Sequence, residues 1–271
     1  MARDFLSFLY NTIPGRCLLK VLADPGLSAA CGKFMDSRAS RVLIRDFVKR
    51  NNIDMSDFKK KSFSSFNDFF TRELKPGKRP VEGEPKFFPS PCDGLLSAYE
   101  IRDNVVLDVK QSEYTVSSLL RDPELARSFD GGLCLVFRLC VNHYHRYIFP
   151  DNGRITAFRR IKGVLHTVRP VALLSRPVFT ENSREYTVTE TENFGQIVQM
   201  EVGAMLVGKI DNYRKGGLVE RGEEKGKFLY GGSTVIVLLE KGTYRFDSKF
   251  ASAFLGNEVP VKMGEKVLEI V

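Results

Sequence analysis

The chain has 271 residues, with 41 Lys and Arg against 33 Asp and Glu and a formal net charge of +8. A hydrophobic share of 43% suits a globular core, and the lack of any run of about 18 apolar residues excludes a spanning helix. The five cysteines, Cys17, Cys31, Cys92, Cys134 and Cys140, are odd in number and lack Cys-x-x-Cys spacing. That argues against a disulfide framework or a zinc site and for a reducing, cytoplasmic setting.

The first 60 residues read as helical. Phe5, Leu6, Phe8 and Leu9, then Leu18, Leu19, Val21 and Leu22, recur at helix spacing on either side of Pro14-Gly15. Two fates are open to these helices. They can dock on their own core, or their Phe/Leu face, with Arg3, Arg16 and Lys20 beside it, can rest in a lipid headgroup layer. The stretch from Phe5 is broken by Asn11, Pro14 and Arg16 and has no small-residue cleavage site after it, so it is not read as a signal peptide. Ser37 to Asn51 predicts another helix, Ser56 caps a short one through Lys60, and residues 62–72 predict a further helix ended by Pro76-Gly77.

Lys75 to Glu84 marks the passage to a β pattern, with no clear linker. Val105–Val109, Leu133–Leu139, Arg154–Arg160, Thr187–Thr191, Gln196–Val202, Met205–Ile210 and Val235–Leu239 are rich in β formers and separated mostly by Gly, Pro or Asn/Asp turns. Residues 115–128 interrupt them as a predicted helix. The expected fold is α+β: a helical region over residues 1–60, then an antiparallel β-rich core over 61–271 forming a single catalytic domain. The basic residues are spread out and no nucleic-acid module is present, so an anionic lipid surface is the expected partner and nucleic acid is not.

Near the C-terminus, Leu229-Tyr230-Gly231-Gly232-Ser233-Thr234 runs directly into the apolar segment Val235–Leu239. By itself Gly-Gly-Ser-Thr also reads as an ordinary turn. A serine held under strain at the mouth of a buried strand can instead attack its own preceding carbonyl. Elimination of the resulting ester would leave a pyruvoyl group in place of Ser233, a carbonyl suited to amino-acid decarboxylation.

Other segments bear on the choice. Phe66 to Pro80, Pro89 to Gly94, Tyr144-His145-Arg146, Val202 to Gly208, and Gly222 to Phe228 followed by Gly232-Ser233-Thr234 stand in this order along the chain. Together, over roughly residues 60–245, they resemble the blocks of phosphatidylserine decarboxylases. The resemblance implies self-cleavage between Gly232 and Ser233 into chains 1–232 and 233–271 that stay together. The pyruvoyl cofactor derived from Ser233 would then form a Schiff base with phosphatidylserine and yield phosphatidylethanolamine. It further implies a protein peripheral on the inner face of the cell membrane; a homodimer is a further expected partner.

Self-cleavage needs a base for the Ser233 hydroxyl and a carboxylate to orient that base. The resemblance supplies the carboxylate as Asp93, although Asp93-Gly94 is also a plain turn signal. The family block Tyr-His-Arg-x-His-x-Pro has its triad histidine where this chain has Ile148, which cannot transfer a proton. With only His143, His145 and His166 in the chain, the expectation is that the base has moved to His166. A hairpin through Asp151-Asn152-Gly153 would deliver it; a purely structural His166 remains open. His145 is the second candidate for the base. Tyr144 and Arg146 are expected to bind substrate, and Tyr147, Ile148 and Phe149 to form an apolar pocket. No role is expected for His143, and His143-x-His145 lacks a good acidic or sulfur partner for a metal. A pyruvoyl decarboxylase of another amine and an unprocessed lipid-binding protein are the competing readings.

Overall fold

In a computed structural model the structure describes residues 2–109, 112–173, 175–204, 209–231 and 233–271. The expected strand Met205–Ile210 and the Val202–Gly208 block therefore lie largely or partly outside the described residues, as does Gly232 of the cleavage site.

The N-terminal region forms α1 (Ala2–Asn11), α2 (Ile13–Leu22), α3 (Pro25–Asp36) and α4 (Val42–Arg50), followed by α5 (Phe66–Phe70). Pro14 does not separate the first two helices. It sits in the first turn of α2, where a missing N–H costs nothing, and Thr12 caps that turn by accepting from Gly15 N–H at 3.0 Å. Gly15 is needed for close approach, because a Cβ there would stand 2.0 Å from the Phe8 carbonyl oxygen of α1. Asp24 caps α3 in the same way, with Pro25 at its first position. The short helix expected from Ser56 to Lys60 does not form. Phe58 instead bridges Leu74, and Lys59 N–H donates to the Glu73 carbonyl.

The strands are β1 (Phe87–Pro89), β2 (Gly94–Glu100), β3 (Val105–Val109), β4 (Ser112–Thr115), β5 (Leu133–Leu139), β6 (Arg146–Ile148), β7 (Gly153–Ile161) and β8 (Arg184–Thr191). They continue with β9 (Gln196–Val202), β10 (Ile210–Asn212), β11 (Gly217–Val219), β12 (Glu224–Phe228), β13 (Ser233–Leu239), β14 (Tyr244–Phe246), β15 (Val259–Val261) and β16 (Lys266–Ile270). The helix expected over 115–128 is two short helices, Val116–Leu120 and Pro123–Arg127, broken where Arg121 turns left-handed at φ 50°.

The main sheet has eight antiparallel strands in the order β11-β7-β8-β9-β13-β5-β2-β15, so β13 is central between β9 and β5. Every residue of β13 is buried. Side chains alternate across a strand, and here the alternation feeds two cores. Ile236 and Leu238 join Leu9, Tyr10 and Leu19 of the N-terminal helices. Val235, Val237 and Leu239 join Phe88, Tyr147, Phe228 and Leu268 on the other side. The fold is thus the expected α+β arrangement, with an antiparallel sheet covered on both faces.

The first helices dock on the core by one side and leave apolar residues exposed on the other. Leu9, Tyr10, Leu19 and Ala23 are buried, whereas Phe8, Ile13, Leu18 and Val21 are exposed, Ile13 by 74%.

Candidate active site

Ser233 opens β13 and is fully buried. Its position is fixed by pairing with Leu139 on β5. Gly231, two residues before it, has φ 126°, a conformation that side chains disfavour.

Ser233 Oγ lies 3.3 Å from His145 Nδ1. The other ring nitrogen, Nε2, lies 3.1 Å from the Cys140 carbonyl oxygen. A carbonyl can only accept, so the proton belongs on Nε2 and Nδ1 is left as acceptor for the Ser233 hydroxyl. That carbonyl is held in a turn, where it also accepts from His143 N–H at 2.9 Å and where Cys140 N–H donates to His143 Nδ1 at 3.1 Å. His143 therefore has a positioning role that the sequence did not suggest. Burial, then the charge of Arg72, then that of His143 hold His145 well below its ordinary range, so its ring is neutral at physiological pH. A neutral, oriented imidazole touching a hydroxyl is the arrangement general-base catalysis requires.

The walls come from α5 and the segment after it. Phe70 lies over the His145 ring with centroids 4.1 Å apart. Tyr230 packs edge-on against Phe66 and Phe70, and its N–H donates to Asn67 Oδ1 at 3.0 Å. Arg72 is 2% exposed, stacks over Phe58 and Phe69 and, among the described residues, donates only to the Phe69 carbonyl at 3.4 Å. Its Nε has no partner among the described residues. Arg184, equally buried, donates instead to the carbonyls of Ser118, Leu119, Thr180 and Asn182. Arg72 is thus a buried cation left under-satisfied beside the site, and burial lowers it only to about 10, so it keeps its charge. Sequence reasoning missed Arg72, although it stands inside the Phe66–Pro80 segment already singled out.

The other expected site residues lie elsewhere. Asp93 receives Arg79 Nε and Nη2 at 2.9 and 3.0 Å and the Met263 N–H at 2.9 Å, and it does not contact the His145 ring. His166 is not delivered to Ser233. β6 pairs with β12 and β7 with β8 and β11, so the proposed hairpin does not form. The Asp151 carboxylate is instead bonded to Asn193 N–H and Nδ2, both at 2.9 Å. His166 follows β7 in a loop, with Nδ1 3.3 Å from Tyr10 OH and Nε2 3.2 Å from Glu181. There it anchors α1.

Arg146 is occupied by the Thr71 carbonyl at 2.7 and 2.9 Å and by Glu224 at 2.6 Å, and the buried Tyr144 packs on Phe58. Arg146 thus ties β6 to the residue after α5 and to β12. Tyr147 and Phe149 do not form one pocket with Ile148. Their rings flank Lys225 Nζ at 5.6 and 6.0 Å, and alternation turns Ile148 to the opposite face. Of the expected residues, the structure brings Ser233 and His145 together.

Comparison with known proteins places this chain in a family. The model of the phosphatidylserine decarboxylase family matches residues 66–269. Phosphatidylserine decarboxylase proenzyme 2 of Clostridium acetobutylicum is 43% identical over 266 residues, covering 97% of this chain and 91% of that protein. The phosphatidylserine decarboxylase proenzymes of Clostridium perfringens and Clostridium botulinum are 38% and 40% identical over 270 residues, each covering 97% of this chain and 92% of the relative. On the extent of these matches, the chain belongs to the phosphatidylserine decarboxylase family.

Proposed function

We propose that the chain cuts itself between Gly232 and Ser233 and then converts phosphatidylserine to phosphatidylethanolamine and carbon dioxide. The observation that carries this reading is the contact between Ser233 Oγ and the neutral Nδ1 of His145 at the mouth of a buried strand. His145 takes the hydroxyl proton as Oγ attacks the carbonyl carbon of residue 232, and returns it to the departing nitrogen, so that an ester replaces the amide. The Thr234 hydroxyl is fully buried without a partner among the described residues, one residue from this bond. It is a candidate donor to the oxyanion, a contribution of about 3 kcal/mol where such a donor is well placed. Loss of the Cα proton of residue 233 then expels the carboxylate of residue 232. Hydrolysis of the remaining enamine consumes water and releases ammonia, leaving residue 233 as a pyruvoyl group.

The surroundings fit that group: pairing with Leu139 of β5 holds residue 233, pairing with β9 begins at the next residue, and His145 stands beside it. When present, its carbonyl supplies the electron sink for loss of carbon dioxide. The 233–271 chain stays bound because β13 keeps both its partners, β5 and β9, within the 1–232 chain. Denaturing mass spectrometry of purified protein tests the reading. Two fragments are expected in place of one chain of 30.7 kDa, the smaller with a pyruvoyl N-terminus. A single intact chain that still releases carbon dioxide from phosphatidylserine overturns it.

Among the described residues no helix is long and apolar enough to cross a membrane. The N-terminal helices supply a peripheral contact instead. Ile13, Leu18 and Val21 of α2 and Phe34 of α3 are exposed next to Arg16, Lys20 and Lys33, a composition suited to an anionic headgroup layer. Sedimentation with phosphatidylserine vesicles is expected to capture the protein, and Ile13→Asp with Val21→Asp to reduce the captured fraction several-fold. Unchanged capture would place the contact elsewhere.

A further inference from the structure

A cavity of about 450 Å³ lies between α3, the end of β7 and the segment leading to Ser233. Ala29 and Gly32 leave the cavity face of α3 nearly bare, and Tyr230 and Asn67 form the opposite wall. Its charge is lopsided: Lys33, Arg160, Lys162 and Lys209 line it against Asp36 alone. Asp36 is engaged by Asn67 Nδ2 at 2.8 Å, and Arg160 by Glu185 at 3.4 Å. Among the described residues Lys33, Lys162 and Lys209 have no carboxylate partner. Three uncommitted ammonium groups around one concavity are a receptor for an anion, and flexible point charges suit a phosphodiester.

We propose that this cavity receives the phosphodiester of the serine headgroup, with Lys33, Lys162 and Lys209 as its ligands. The inference rests on the decarboxylase reading and adds the place where the substrate is held. The wall shared with the reaction site is Tyr230, which packs on Phe70, which in turn covers His145 beside Ser233. In the uncut chain that wall is tied to the fully buried Ser233 by two residues. Cutting after residue 232 makes Tyr230 part of a free chain end and removes the tie. The serine amine, a few bonds from the phosphorus, then reaches residue 233 while the phosphate stays among the lysines. The acyl chains remain in the membrane.

Processed protein carrying Lys162→Met, Lys209→Met or both tests this, with Lys241→Met as control. Lys241 lies beyond the far end of β13, roughly 20 Å from Ser233 at about 3.3 Å per residue. Carbon dioxide release is measured from a monomeric short-chain phosphatidylserine, so that attraction to a charged surface plays no part. Binding of glycerophosphoserine and of inorganic phosphate is measured separately by calorimetry.

The expected result is a KM raised roughly tenfold by each substitution, the scale of one lost charge-assisted hydrogen bond. kcat should stay within about twofold, glycerophosphoserine binding should weaken in parallel, and Lys241→Met should behave as the parent. Competition by glycerophosphoserine but not by inorganic phosphate marks a headgroup site; equal binding of both marks a general phosphate site and overturns the headgroup assignment. An unchanged KM in the double variant, or an equal rise in Lys241→Met, overturns the proposal while the parent's turnover leaves the decarboxylase reading standing. A parent that neither cuts itself nor releases carbon dioxide removes that reading. Calorimetry then still decides whether the lysines bind the headgroup.

Discussion

Ser233→Ala is expected to remain a single chain of 30.7 kDa, and His145→Ala to process at least a hundredfold more slowly than the parent, whereas His166→Ala processes normally. The first change removes the attacking oxygen. The second removes the only ring that touches it among the described residues. The third removes a ring whose nitrogens face Tyr10 and Glu181, so its cost should appear as looser docking of α1. Cell-free synthesis followed by gel analysis over time distinguishes the three. Normal cutting in His145→Ala would remove His145 as the base.

The same experiment carries a pH signature. A histidine near its ordinary 6.5 would lose its basic form as the medium is acidified through that value. His145 is held well below it, first by burial and then by Arg72 and His143. Protonation of His145 abolishes the base, so cutting should be insensitive to pH from about 8 to 6 and fail only at lower pH. Arg72→Met removes a nearby cation, lets the His145 pKa rise and moves the acid limb upward. A parent profile that already falls through 6.5 would show that the ring is not shielded from protonation in this way.

What the sequence made legible follows from physical range. β13 was readable because five successive apolar residues can only be buried, and Gly231 because a turn before such a strand calls for glycine. Ser233 and His145 carried local motifs. The location of the base did not follow, because it depends on which strands pair. β6 has three residues, too few for a periodic signal, and its pairing with β12 is decided by contacts about 80 positions away. Arg72 was unreadable for a related reason: its burial comes from aromatic side chains on both sides of it, Phe58 and Phe69. The cationic cavity gathers residues from positions 33, 162 and 209, which no local pattern connects.

Lys225→Met is expected to destabilise the fold by about 3–5 kcal/mol, while Lys225→Met combined with Glu201→Leu recovers most of that loss. Lys225 Nζ and Glu201 Oε1 are 2.5 Å apart, and both side chains are fully buried. Burial pushes the carboxyl up and the ammonium down, toward neutrality, and the pairing opposes both shifts. Asn212 completes the network by donating to Glu201 and Glu185, each at 3.1 Å, and accepting from Tyr147 OH at 3.2 Å. Removing one charge strands the other in the core, whereas removing both leaves apolar groups among Tyr147 and Phe149. Urea unfolding in the Ser233→Ala background keeps the molecule one chain and makes the comparison a two-state cycle. Equal losses in the single and double variants would show that the pair is not coupled. The network also bears on catalysis, because Phe228 at the end of β12 donates its N–H to the His145 carbonyl at 2.9 Å. A strand loosened at Lys225 therefore shifts the base against Ser233, so the single variant should also cut more slowly and the double variant should regain part of that rate.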